Sequence, residues 1–84
     1  MAVDDALVMF STTWCGYCVR LKRFLEREGI AYVEVNIEED ADAAAFVTAH
    51  NGGNRTVPTV RFPNGRALTN PSPAEVLAEL AQPA

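Results

Sequence analysis

The chain lacks any apolar run near the ~20 residues that span a bilayer; Ala6 to Phe10 is five residues long. Nor is there a basic surplus. Seven Lys and Arg face eleven Asp and Glu for a net charge of −4, which supplies no general field for nucleic acid or anionic lipid. Proline and glycine number only five each, and no charged tract or repeat occurs, so neither a disordered nor a repeat architecture fits. The start Met1-Ala2-Val3-Asp4-Asp5 carries no basic residue ahead of its short apolar run, unlike a secretion signal. A cytoplasmic location is therefore expected. With 84 residues there is room for one domain over 1–84 but not for enclosing a large organic cofactor.

What is present is unevenly distributed. Arg20, Lys22, Arg23 and Arg27 against Glu26 give residues 15–27 a charge of +3, leaving −7 elsewhere. Leu7-Val8-Met9-Phe10 reads as a strand buried on both faces and stops at Ser11-Thr12-Thr13. Cys18, Leu21, Phe24 and Leu25 then recur at helical spacing from Gly16 to a breaker at Gly29. Ala31 to Ile37 is β-branched and aromatic, and the acidic cluster Glu38-Glu39-Asp40-Asp42 suits the start of a second helix ending near His50. After Asn51-Gly52-Gly53-Asn54, residues 57–62 and 66–69 flank Pro63-Asn64-Gly65, a hairpin in which Asn-Gly supplies positive φ angles. Ser72-Pro73-Ala74-Glu75 is a capping box opening a third helix, with Val76, Leu77 and Leu80 toward the core. The layout is β-α-β-α-β-β-α.

The only two cysteines stand in Trp14-Cys15-Gly16-Tyr17-Cys18, where strand one meets helix one. A disulfide closing so short a loop contributes only about 2 kcal/mol, a poor staple. Zinc would need two further ligands, and the single histidine, His50, lies after the second helix. A C-x-x-C beside a βαβ pattern reads instead as a redox pair. The helix N-terminus favours thiolate at Cys15 over Cys18, one turn inside, so Cys15 is the expected nucleophile and Cys18 the resolving thiol. Thr56-Val57-Pro58 is a second element, Trp14 and Tyr17 are candidate contact surfaces, and Arg55 is a candidate contact beside the Val-Pro step.

Together these residues resemble a small glutaredoxin of the thioredoxin fold, an α/β architecture with a four-stranded mixed sheet flanked by three helices. Trp14 to Cys18, Asn51 to Pro58 and Leu68-Thr69-Asn70-Pro71-Ser72 resemble the mycoredoxins, glutaredoxin counterparts in mycothiol-using bacteria. That resemblance implies a cis Val57-Pro58 bond and a thiol-disulfide oxidoreductase acting on mycothiolated proteins; a monomer is expected. Mycothiol would be the reducing co-substrate, with electrons ultimately from NADPH through a mycothiol-disulfide reductase, and no metal is expected. Trp14, Tyr17, Arg55, Thr56, Val57, Pro58 and Asn70 would contact substrate or thiol. The Gly-Gly and paired aspartates with which glutathione-using glutaredoxins hold the γ-glutamyl end are replaced by Asn70-Pro71-Ser72-Pro73. Two alternatives remain: a NrdH-like redoxin reduced by thioredoxin reductase and serving ribonucleotide reductase, and a metal- or cluster-binding carrier.

Overall fold

A computed structural model describes residues 7–82. Met1 to Ala6, on which the absence of a secretion signal was argued, lie outside the described residues. The elements are β1 (Leu7–Ser11), α1 (Gly16–Arg27), β2 (Tyr32–Asn36), α2 (Ala41–His50), β3 (Thr59–Arg61), β4 (Ala67–Thr69) and α3 (Pro73–Leu80). The strands form one sheet in the order β2-β1-β3-β4. β1 runs parallel to β2 and antiparallel to β3, and β4 is antiparallel to β3. This is a thioredoxin-like mixed sheet with three helices, as the layout predicts.

Alternation along β1 decides which helices cover which face. Leu7 and Met9 join Val60, Phe62, Leu21, Phe24, Leu25 and Val76 in a core beneath α1 and α3. On the opposite face, Phe10 and Val8 meet Ile37, Ala43, Ala44 and Val47 beneath α2. Both cysteines belong to the first core, and Val57 packs against both. Fully burying a Leu or Val side chain contributes about 1.5–3 kcal/mol, so these two layers supply the main driving force.

The helix boundaries follow from local chemistry. The Asp40 carboxylate accepts from the Ala43 N–H at 3.0 Å and caps α2. Ser72 and Glu75 complete a reciprocal capping box on α3, with Pro73 at its start. Gly29, at φ 70°, closes α1 where a side chain would be strained.

Two expectations need correction. Leu77 is 48% exposed, and the buried face of α3 carries Val76 and Glu79. Glu79 is drawn inward because its carboxylate accepts from Asn64 at 2.8 Å and pairs with Arg66 at 3.2 Å, both on the hairpin. In the hairpin turn only Gly65, at φ 90°, takes a positive angle; Asn64 does not. Pro63 has its φ fixed near −65° and forces a different turn, in which Gly65 N–H donates to Phe62 O at 2.8 Å and Phe62 N–H to Arg66 O at 2.7 Å.

Candidate active site

Cys15 is the N-cap of α1, at φ −89° and ψ 111°. Its sulfur accepts from the Cys18 N–H at 3.1 Å, one of the amides that an α-helix leaves without a backbone partner. Its thiol also faces the Val57 carbonyl at 3.7 Å. Both cysteines are free thiols and both are buried, Cys18 more completely. Burial, then the hydrogen bond with Cys15, push the Cys18 thiol up to about 12, against a smaller opposing effect of the Thr12 backbone. The two sulfurs are therefore chemically distinct: one at the cap, and one held as a thiol one turn inside.

Val57 reaches Cys15 because its loop is anchored from behind. The Val57-Pro58 peptide bond is cis. The Asn51 amide donates to Val47 O and Thr59 Oγ1 and accepts from Thr69, tying the end of α2 to both hairpin strands. Thr59 in turn donates to Thr56 O at 2.8 Å. The Asn70 N–H donates to Pro58 O at 2.7 Å, with Asn70 at φ 46°, a left-handed conformation that asparagine adopts more readily than most residues.

Cys15, Cys18, Val57, Pro58 and Asn70 are thus linked around one locus. Trp14 and Tyr17 flank it as exposed aromatics, not as core. Trp14 donates to Glu38 at 3.0 Å, and Arg20 lies over the Tyr17 ring at 5.7 Å. Arg55 and Thr56 are exposed on the approach to Val57, and Arg55 makes no ion pair among the described residues. His50 is the last residue of α2, not beyond it as expected, and stacks on Phe46. A groove of about 490 Å³ lies between α1 and the start of α3, lined by Tyr17, Arg20, Phe24, Asn70, Ser72 and Glu75.

Sequence reasoning missed the anchoring role of Asn51 and a polar group behind Cys18. There Ser11 donates to Glu34 at 2.8 Å and Lys22 donates to the same carboxylate at 3.2 Å. The signal available was Glu34 itself, an acid between the β-branched residues of a strand.

A glutaredoxin family profile matches residues 7–67, including the cysteine pair, the Val-Pro step and the hairpin turn. The chain belongs to the glutaredoxin family. It is 57% identical over 80 residues to a glutaredoxin-family protein of Mycobacterium tuberculosis, covering 95% of each chain. Mycoredoxin 1 of Corynebacterium glutamicum is 39% identical over 74 residues, covering 88% of this chain and 91% of the relative. Among solved structures, a glutaredoxin from Archaeoglobus fulgidus superposes with a TM-score of 0.71 at 25% identity, covering 94% of this chain and 88% of that one. This mycoredoxin-like glutaredoxin is a thiol-disulfide oxidoreductase, of a family that works on thiolated proteins with a low-molecular-weight thiol. No helix among its described residues is long and apolar enough to cross a membrane.

Proposed function

We propose that this glutaredoxin reduces mixed disulfides between proteins and mycothiol. The Cys15 thiolate attacks the mycothiol sulfur, the protein leaves as its thiol, and mycothiol remains on Cys15 as a mixed disulfide. A second mycothiol then displaces the first as mycothiol disulfide, which an NADPH-dependent reductase returns to the thiol. Cys18 is not needed for this cycle, because the incoming small thiol supplies the resolving sulfur.

The observation that carries this reading is the polar wall of the groove beside Tyr17. Asn70 and Ser72 present an amide and a hydroxyl, and the one carboxylate there, Glu75, already accepts from the Ser72 N–H at 2.8 Å. Such a wall suits the sugar hydroxyls of mycothiol better than the ammonium of a γ-glutamyl group, which needs a free carboxylate. The relation to Mycoredoxin 1 supports the same choice. Trp14, Arg55 and Thr56, exposed around the thiols, are assigned to the protein substrate.

The test couples NADPH oxidation to a mycothiolated protein through mycothiol-disulfide reductase, and repeats the assay with glutathione and its reductase. Wild type and Cys18→Ser are expected to turn over and Cys15→Ser to be inactive. Preference for mycothiol should reach about tenfold in kcat/KM, equivalent to roughly 1.4 kcal/mol. Equal turnover with glutathione would make the protein a glutathione-type glutaredoxin. Activity only through thioredoxin reductase, with Cys18 required, would make it a NrdH-like redoxin.

A further inference from the structure

A pocket of about 450 Å³ opens behind Cys18, on the side of α1 away from the groove, and the reaction above makes no use of it. Cys18 and Val19 form one wall, Ser11 and Thr12 another, and Lys22, Glu34 and Glu39 bring charge to it. The parallel register that pairs Met9 with Glu34 and Ser11 with Asn36 places Ser11 and Glu34 diagonally on one face of the sheet. The Glu34 carboxylate is held by the Ser11 hydroxyl and the Lys22 ammonium, one oxygen each. Thr12 is 7% exposed, and its hydroxyl is the one buried side-chain polar atom without a hydrogen-bond partner among the described residues. A buried unpaired hydroxyl carries a desolvation cost, so its persistence calls for a role.

We propose that Glu34 is the proton acceptor for Cys18, positioned by Ser11 and Lys22 and reached through water seated at the Thr12 hydroxyl. This rests on the reading that Cys15 is the nucleophile and Cys18 the resolving thiol. It concerns the branch in which no small thiol arrives first. Cys18 then gives its proton through water to the Glu34 carboxylate, and its sulfur attacks Sγ of Cys15. The Cys15–Cys18 bond forms, the bond from Cys15 to the bound thiol breaks, and that thiol leaves with the electron pair. The dithiol is oxidised, the mixed disulfide is reduced, and Glu34 returns its proton to solvent through the open pocket.

Four ionisable groups face this chemistry: Cys15 at the cap of α1, Lys22 from α1, Glu34 from β2, and Glu39 from the turn after β2. β1 and the turn after it contribute only the uncharged Ser11, Thr12 and Thr13. Glu34 also acts on Cys18 through its charge, which by itself disfavours the thiolate. Charge and proton transfer thus oppose each other, and a neutral replacement separates them. If Glu34 acted by charge alone, Glu34→Gln would speed attack by Cys18; if it accepts the proton, the same change slows it.

The experiment mixes the reduced protein with 5,5′-dithiobis(2-nitrobenzoate) in a stopped-flow spectrometer and follows the coloured aryl thiolate. A first, concentration-dependent release reports loading of Cys15, and a second, unimolecular release reports attack by Cys18. Glu34→Gln should leave the first phase within a factor of about two and slow the second by about 100-fold at pH 7, the low end of positioned proton transfer. Its second phase should rise with pH across the range where wild type is flat. Thr12→Val should slow the second phase while leaving the first. An unchanged or faster second phase in Glu34→Gln overturns the proposal. Cys18→Ser should give the first phase alone; if Cys15→Ser loaded and Cys18→Ser did not, the assignment of the two thiols would fall instead.

Discussion

At the scale of single residues, the two sulfurs differ because one completes a helix end and the other is packed into a core. The Cys18 thiol, held up to about 12 from an ordinary 9, favours its neutral form in the folded chain. Stability from this source is complete below pH 9 and is lost as pH rises toward 12, because the unfolded chain releases the proton first. Tyr32, whose phenol donates to Glu26, is raised from an ordinary 10 to about 12 and adds to the upper part of this window. The Cys18 share is therefore read as a difference. Urea midpoints of the reduced protein should fall more steeply across this range than those of Cys18→Ser, and parallel curves would show that burial of the thiol has no energetic consequence. Iodoacetamide at neutral pH should label Cys15 well before Cys18, as peptide mapping would reveal.

At the scale of elements, what was legible in the sequence is what depends on neighbours along the chain. The capping box at Ser72, the acidic cap at Asp40, the breaker at Gly29 and the C-x-x-C at a strand-helix junction are each written within a few residues. Leu77 and Asn64 were misread for the opposite reason. The rotation of α3 is set by Glu79 reaching residues on the hairpin, and the turn type by Pro63 overriding the Asn-Gly preference. The roles of Glu34 and Asn51 were not legible from spacing, because sheet register brings Glu34 beside Ser11 and the side chain of Asn51 reaches from the end of α2 to Thr59 and Thr69 on the paired strands. Ser72→Ala tests the element that holds the groove wall. It should cost about 1 kcal/mol of stability by removing the cap acceptor, seen as a lower denaturant midpoint. The backbone N–H that holds Glu75 survives this change, but the groove wall loses a hydroxyl, so the preference for mycothiol should weaken in the coupled assay.

At the scale of the whole molecule, the sheet separates two cores and Val57 touches both while its carbonyl faces Cys15. Truncating Val57 to alanine should therefore reduce stability and thiol exchange together, unlike a change confined to one layer such as Val47→Ala. Thermal melts beside the stopped-flow assay would separate the two. Cys15 joins scales in another way, since the atom that reacts is also the atom that caps α1. Whenever that sulfur enters a bond to another thiol it becomes a poorer acceptor, and the first turn of the longest helix loses part of its fastening. Fraying is then a reporter of catalysis. With a cap of roughly 1 kcal/mol, the amide of residue 18 should exchange with deuterium about fivefold faster when Cys15 is blocked than when it is free. The enzyme would loosen its own helix end at each turnover and re-seal it as the product departs.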